Sequence, residues 1–305
     1  MISSEKFLFQ PQKHNLKKDF STDLFSDGSG KPEGETLLKQ HIKRLAELQD
    51  MLFAHKKYSV LIILQGMDAS GKDGIIKHVF TGINPQGLKV KSFSTPSSEE
   101  FAHDFLWRCS KALPERGFIG VFNRSYYEEV LIAKVHPQFL AKQNLPKIPK
   151  TDEELQAFWN QRYEDINNFE KYLTNNGTIV LKFFINISKE EQKVRFLRRI
   201  DRAAKNWKFR PDDLSERAYW NNYIDAYNSA FLNTTTDYAP WYIIPGDKKW
   251  FSRLAICNTV LEKLEKLDIK YPDVEYNAKR KIIEAKTLLL NEDIKPLEKT
   301  INPSL

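Results

Sequence analysis

The stretch Ser59-Val60-Leu61-Ile62-Ile63-Leu64-Gln65-Gly66-Met67-Asp68-Ala69-Ser70-Gly71-Lys72-Asp73-Gly74 decides how this chain folds. A short run of branched apolar residues reads as a buried strand, and it stops at a glycine. Gly71-Lys72 follows, and then a segment with Ile75, Ile76, Val79 and Phe80 that has helical character. Strand, loop and helix with the spacing G-x-x-x-x-G-K form a phosphate-binding loop. Gly66 and Gly71 allow backbone angles that a side chain would forbid. The loop's N–H groups can then turn inward at a helix N-terminus and form a concave anion site. Gly66, Ala69, Ser70, Gly71, Lys72 and Asp73 are the candidate phosphate-binding residues, with Lys72 supplying a full positive charge.

Two carboxylates depart from the common motif. Asp73 stands where Ser or Thr usually places a hydroxyl on magnesium, and Asp68 sits inside the loop. Acids beside phosphates repel them unless a divalent cation lies between, and magnesium prefers such an oxygen shell. Asp68 is therefore the candidate metal ligand, for Mg2+ with Mn2+ as the alternative. Asp73 reads equally as a favourable charge in the first helical turn.

Working outward, five apolar strands alternate with helical patterns, which predicts an α/β fold with a parallel five-stranded sheet flanked by helices. Residues 1–34 are polar, with Gly28, Gly30, Pro32 and Gly34 close together, and read as a mobile or surface-wrapping arm. A long amphipathic helix is predicted over 35–57. Further strands are predicted at 89–93, 117–122, 178–187 and 241–244. Residues 134–150 read as a loop. Capping boxes at Thr151/Glu154 and Ser188/Glu191 open two helices. The main domain is expected over 35–269, with a peripheral helix and tail over 270–305.

The third strand ends at Asn123-Arg124-Ser125-Tyr126-Tyr127-Glu128-Glu129. Many phosphate-loop proteins place a second magnesium-associated acid at such a strand end; here it is Asn123, which shifts weight to Asp68. Ligands bind beyond the strand carboxyl ends in open α/β sheets, so Arg124 is well placed for a phosphate. In the next to last third of the chain, Arg195, Arg198, Arg199 and Arg202 recur at helical spacing, with Val194, Leu197 and Ile200 expected to face the protein. Lys205, Lys208 and Arg210 follow around Trp207 and Phe209. Arginine suits phosphate, so the segment 195–213 reads as a lid closing on a phosphorylated ligand. Tyr219, Trp220, Tyr223 and Tyr227 read as core, on one helix over 214–231.

Composition agrees with an anionic partner. The 305 residues carry a net charge of +7 and a pI near 9.1. Two cysteines suggest no disulfide framework, the N-terminus has no apolar signal region, and no apolar run approaches a membrane span. No membrane partner and a cytoplasmic setting are the expectation.

Four separated motifs together resemble polyphosphate kinase family 2: Gly66 to Gly74, Phe122 to Glu128, Phe196-Leu197-Arg198-Arg199-Ile200-Asp201 with Lys205-Asn206-Trp207-Lys208, and Ala239-Pro240-Trp241-Tyr242 with Pro245 and Lys248-Lys249-Trp250. The resemblance covers about Leu37 to Leu267. It implies a P-loop kinase fold similar to thymidylate kinases, with a helical lid, and magnesium-dependent phosphoryl transfer between inorganic polyphosphate and a nucleotide. It implies that Asp68 binds magnesium and orients the acceptor, and that Lys72 holds the transferred group. Arg124, Arg195, Arg198 and Arg199 would grip phosphates, and Lys205 and Lys208 would guide the chain. Asn123, Arg124, Tyr127 and Glu128 are the candidate nucleotide contacts, with Glu129 an alternative to Glu128. Asparagine at 123 resembles the subgroup accepting both AMP and ADP to end in ATP. A homo-oligomer, dimer or tetramer, is implied. The rival readings are an ATP-dependent nucleotide or small-molecule kinase, and a basic nucleic-acid-binding P-loop protein. No recognition-helix or stacking motif supports the last, so no nucleic-acid partner is expected.

Overall fold

The computed structural model describes residues 3–25, 29–209 and 211–292. Gly28 and Arg210 lie outside the described residues, as does the tail from 293. Five strands form one parallel sheet: β1 Ser59–Gln65, β2 Leu88–Ser92, β3 Ile119–Asn123, β4 Thr178–Asn186 and β5 Trp241–Pro245, in the order β2-β3-β1-β4-β5. The central strand β1 pairs with β3 (Leu64 beside Asn123) and with β4 (Gln65 beside Phe184). All seven of its residues are buried. That explains a continuous apolar run rather than an alternating one, since helices cover both faces of a parallel sheet.

The described helices that matter here are α1 Lys31–His55, α2 Lys72–Val79, α3 Glu128–Val135, α4 Asp152–Asn175, α5 Lys189–Ile200, α6 Asp212–Ala218, α7 Trp220–Thr234 and α8 Lys249–Glu265. The structure differs from the expectations in places. The first long helix begins at Lys31, with Pro32 in its first turn, where proline's missing N–H costs nothing. Residues 3–25 bury Phe7, Phe9 and Leu16 in the core, and Leu8 bridges Tyr242 in antiparallel fashion. The expected loop at 134–150 contains the end of α3 and a 3-10 turn at Pro137–Lys142. The expected helix over 214–231 is two, broken at Tyr219. Its aromatic stripe is largely core: Trp220 and Tyr227 are buried, whereas Tyr219 is exposed.

The chain divides into compact units at 1–270 and 271–305. In the second, the helix Tyr276–Leu290 has no buried residue. No described helix is long and apolar enough to cross a membrane.

The sheet contains one charged residue that apolar patterning conceals. Lys182, in the middle of β4, is fully buried and donates to Glu170 Oε2 (2.6 Å), to the Thr234 carbonyl (2.7 Å) and to the Tyr127 hydroxyl (2.9 Å). Glu170, fully buried on α4, accepts from Tyr126 and Tyr127 at its other oxygen, at 2.8 and 2.9 Å. Burial pushes the lysine pKa down, and the Glu170 carboxylate opposes that shift. Removing one partner from a buried ion pair leaves an uncompensated charge. Lys182→Met is expected to destabilise the fold by about 3–5 kcal/mol. Lys182→Met with Glu170→Leu should cost less than the single change. Urea midpoints of the two variants check this; a double variant weaker than the single one would contradict it.

Candidate active site

The phosphate loop runs from Gly66 to Gly71 between β1 and α2. Gly66 has φ of 153°, and a Cβ there would come within 2.7 Å of Ser70 Oγ and 2.9 Å of the Ile185 carbonyl. Gly71 has φ of 111° and is the N-cap of α2. Ala69 also takes a left-handed conformation, at φ 62°. These turns leave the first N–H groups of α2 free of intrahelical partners, as every helix start does.

Helix α5 holds the loop from behind. Arg195 Nη1 donates to the carbonyls of Ala69 (3.0 Å) and Ser70 (2.6 Å), and Nη2 to those of Gly246 (2.6 Å) and Asp247 (3.2 Å) beyond β5. Its Nε donates to Glu191 Oε1 at 2.7 Å. Gln192 Nε2 donates to the Asp68 carbonyl at 2.9 Å. This corrects two expectations. Arg195 is buried and its donors are engaged by protein oxygens, so it braces the loop rather than gripping a phosphate. Val194, Leu197 and Ile200 do not face the protein but are exposed, because α5 turns Gln192, Arg195 and Phe196 inward. The same contact explains why the Ser188/Glu191 capping box is only half formed. Ser188 Oγ accepts from the Glu191 N–H (3.0 Å), while the Glu191 carboxylate turns to Arg195.

A cleft of about 640 Å³ opens over the loop. Asp68, Ala69, Ser70, Gly71, Lys72, Asp73, Asn123, Arg124, Arg195, Arg198, Arg199, Lys205 and Lys208 all line it; Gly66, Tyr127 and Glu128 do not. Arg202, Lys249 and Arg253 line it as well, making ten cationic side chains against three aspartates. Lys249 and Arg253 lie one turn apart at the start of α8, which follows β5. Their signal in the sequence was the i, i+4 pair just past a strand end, the same position logic that picked out Arg124.

Lys72 Nζ is folded into the loop. It donates to the carbonyls of Gly66 (2.7 Å) and Met67 (3.3 Å) and to Ser70 Oγ (3.5 Å). Burial, with the Arg124 charge adding to it, pushes its pKa down from the usual 10.5 to about 8. Arg124 takes a left-handed backbone (φ 63°) at the end of β3 and donates to Asp68 Oδ1 at 2.7 Å. It also lies 3.7 Å from Glu128 Oε2. Glu128 and Asp68 raise its pKa against the opposing effect of burial. Asp73 is held by two partners, Asn123 Nδ2 at 3.0 Å and Lys208 Nζ at 3.1 Å. Burial would raise the Asp73 pKa, but these two hydrogen bonds prevail and lower it.

Tyr127 does not fit its expected nucleotide contact. It is fully buried, with its hydroxyl on Glu170, and packs edge-on against Trp241. Glu128 touches the site through Arg124, whereas Glu129 turns away, accepting from Gln143 Nε2 at 2.6 Å. No described cluster of three or more His, Cys, Asp or Glu side chains could hold a metal by itself. A magnesium ion shared with phosphate needs no such cage, since it takes one or two carboxylates and fills its shell with phosphate and water oxygens. The half-exposed Asp68 carboxylate in the cleft suits that role.

The brace makes a prediction. A lysine cannot reproduce Arg195's planar fork. Arg195→Lys is expected to keep the fold while lowering turnover by about 10²-fold, the effect of displacing groups by about 1 Å. Wild-type turnover in a folded Arg195→Lys protein would remove the brace from the mechanism.

Residues 29–272 match the sequence profile of the family described as Polyphosphate kinase 2. The chain is 47% identical over 254 residues to an ADP-polyphosphate phosphotransferase of Rhodopseudomonas palustris, covering 83% of this chain and 87% of the relative. It is 40% identical over 281 residues to an AMP/ADP-polyphosphate phosphotransferase of Meiothermus ruber, covering 92% and 100%. Among solved structures, a polyphosphate kinase 2 from Arthrobacter aurescens superposes with a TM-score of 0.82 at 39% identity, over 93% of this chain and 97% of that one. The chain with this braced phosphate loop belongs to the polyphosphate kinase 2 family.

Proposed function

We propose that this protein is a polyphosphate-dependent nucleotide kinase, transferring a phosphoryl group from inorganic polyphosphate to ADP and AMP to form ATP. The observation that carries the reading is the cleft itself: ten cations and a phosphate loop converge on Asp68 and Arg124. Such a surface suits a long polyanion on the lid side and a shorter phosphorylated acceptor at Arg124. Phosphoryl transfer needs positioning and charge neutralisation more than covalent help.

In this reading Lys72 leaves its loop carbonyls to hold the transferred phosphoryl group, and the loop N–H groups bind its oxygens. Asp68 would hold magnesium, or manganese, which supplies charge neutralisation between donor and acceptor phosphates when bound. Arg124 orients the acceptor and is itself aimed by Asp68 and Glu128. Arg198, Arg199, Lys205 and Lys208 guide the polyphosphate chain, and Arg202, Lys249 and Arg253 extend that track. Asn123 adds no charge where many phosphate-loop proteins have an acid, and through the family resemblance this asparagine goes with a site that takes either AMP or ADP. The assignment to both acceptors follows the Meiothermus ruber relative, whose name includes AMP and ADP; the Rhodopseudomonas palustris relative's name includes ADP alone. A cytoplasmic homo-oligomer completes the proposal.

A coupled assay tests it with magnesium, long-chain polyphosphate and either ADP or AMP alone. ATP from both is expected, ATP from ADP only would restrict the acceptor, and product with ATP as donor but none with polyphosphate would replace the reading with an ATP-dependent kinase. Asp68→Asn should abolish turnover in a folded protein, and full activity in that variant would dismiss the metal role. The pH profile is a separate check. The free enzyme loses the Lys72 charge as pH rises through about 8. kcat/KM for polyphosphate should therefore fall above pH 8 by about tenfold per unit. The bound polyanion favours the ammonium, so the corresponding limb in kcat should lie at higher pH. A kcat/KM flat to pH 10 would show that this charge does not bind the donor.

A further inference from the structure

Helix α6 ends the lid segment, and its polar side chains tie it to three other helices. Asp213 faces Arg199 Nη1, a cleft cation on α5, at 3.8 Å. Glu216 accepts from the Tyr223 hydroxyl on α7 at 2.6 Å and lies 3.0 Å from His136 Nε2, just past α3. Arg217 reaches the first turn of α5. Its Nη1 donates to the Lys189 carbonyl at 2.7 Å and to Gln192 Oε1 at 2.8 Å. Arg217 does not line the phosphate cleft, so its charge is not part of the surface that meets a polyanion.

Gln192 gives the Arg217 contact its consequence. It is 2% exposed, and both ends of its amide are engaged. Oε1 accepts from Arg217, and Nε2 donates to the Asp68 carbonyl at 2.9 Å. An arginine offers donors only, so the amide must turn its oxygen to Arg217. That choice aims its NH2 group at the loop. Without the guanidinium a buried acceptor loses its donor, at a cost of about 1–3 kcal/mol, and nothing then fixes which way the amide faces. Arg195, the other α5 brace, donates to the loop, to the residues beyond β5 and to Glu191. Among the described contacts of the two braces, Gln192 alone joins the loop to α6.

Resting on the kinase reading above, we infer that Arg217 is a positioning residue: through Gln192 it ties the lid helix α6 to the Asp68 carbonyl, so that seating α6 on α5 aligns the loop acid. Arg198, Arg199, Lys205 and Lys208 precede α6 on the same stretch of chain and line the cleft. Placement of the donor-side cations and alignment of Asp68 thus share one contact, that of Arg217 with Gln192.

Steady-state kinetics and hydrogen exchange on the full chain test this through Arg217→Met, Gln192→Met and the double variant. In Arg217→Met, kcat should fall about tenfold, the loss of one charge-assisted hydrogen bond. KM for polyphosphate should stay unchanged. The double variant should be no slower than Gln192→Met, because both changes cut the same path; a separate structural role would add its own loss. Arg217→Lys, which can donate to Gln192 but lacks the planar fork, should recover part of kcat. The Ser70 N–H is bonded to the Met67 carbonyl, and exchange of the 66–71 amides should quicken several-fold in Arg217→Met as the loop loosens. Wild-type kcat in a folded Arg217→Met protein would overturn the inference. So would a raised polyphosphate KM at constant kcat, or a double variant whose loss is the product of the single losses. If Arg217→Met does not fold, Gln192→Glu carries the test: it keeps an acceptor for Arg217 and removes the donor to Asp68. A fall in its kcat sustains the tie, and wild-type kcat ends it. If the wild-type protein shows no polyphosphate-dependent turnover, the kinase reading fails separately. Exchange then decides the tie: quickened 66–71 amides in Arg217→Met sustain it, and a wild-type pattern ends it.

Discussion

Three consecutive carbonyls, those of Asp68, Ala69 and Ser70, are held from behind by two side chains of one helix, Gln192 and Arg195. In a trans peptide the C=O and the next N–H point in opposite directions. Fixing carbonyls on the α5 side therefore turns the Ala69 and Gly71 N–H groups away from α5, while the Ser70 N–H closes the loop on the Met67 carbonyl at 3.0 Å. The loop's affinity for anions is thus set by a guanidinium that need never touch one. Arg195 also ties the loop to Gly246 and Asp247, so β1 and β5, on either side of β4, share one anchor. Placing this brace is what α5 does, and it forces the helix to expose Val194, Leu197 and Ile200.

Much of this architecture was legible in the chain. The phosphate loop, the five strands and the helix caps at Thr151 and Ser188 are encoded locally, by apolar runs, glycines and hydroxyl side chains at fixed offsets. The strand-end position of Arg124 follows from the same pattern. What periodicity could not show is which face of a polar helix is buried. Arginines at 195, 198 and 199 look equivalent in spacing, yet only Arg195 meets a row of carbonyls, and those come from residues more than 50 positions away. The inversion of α5 is decided by tertiary hydrogen bonds, which override the apolar stripe.

The same limit hid Lys182. Within an apolar strand a lone lysine is the sign of a buried partner, because an unpaired ammonium there is too costly. The sequence flags the anomaly but not the partners, which are Glu170 on α4, Tyr127, and Thr234 at the end of α7. This explains why Tyr127, although adjacent to Glu128, belongs to the core network and not to the nucleotide. Lys249 and Arg253 were not legible as cleft residues for a milder reason: a charged first turn on α8 looks like ordinary surface until β5 is placed beside β4.

Four of the cleft's cations already carry carboxylate neighbours within the chain: Arg124 with Asp68, Arg195 with Glu191, Arg199 with Asp213 and Lys208 with Asp73. The cavity thus brings its own counterions. On the proposed reading, a phosphate arriving at Arg124, Arg199 or Lys208 would exchange one anion for another instead of releasing a solvent ion, while Arg195 stays on its carbonyls. The ionic-strength dependence of polyphosphate binding should then be shallower than ten cations would give, because the slope counts only counterions actually set free. On the same reading the exchange would also run in reverse: once product leaves, the internal carboxylates would reclaim their partners and help the highly charged chain to move on.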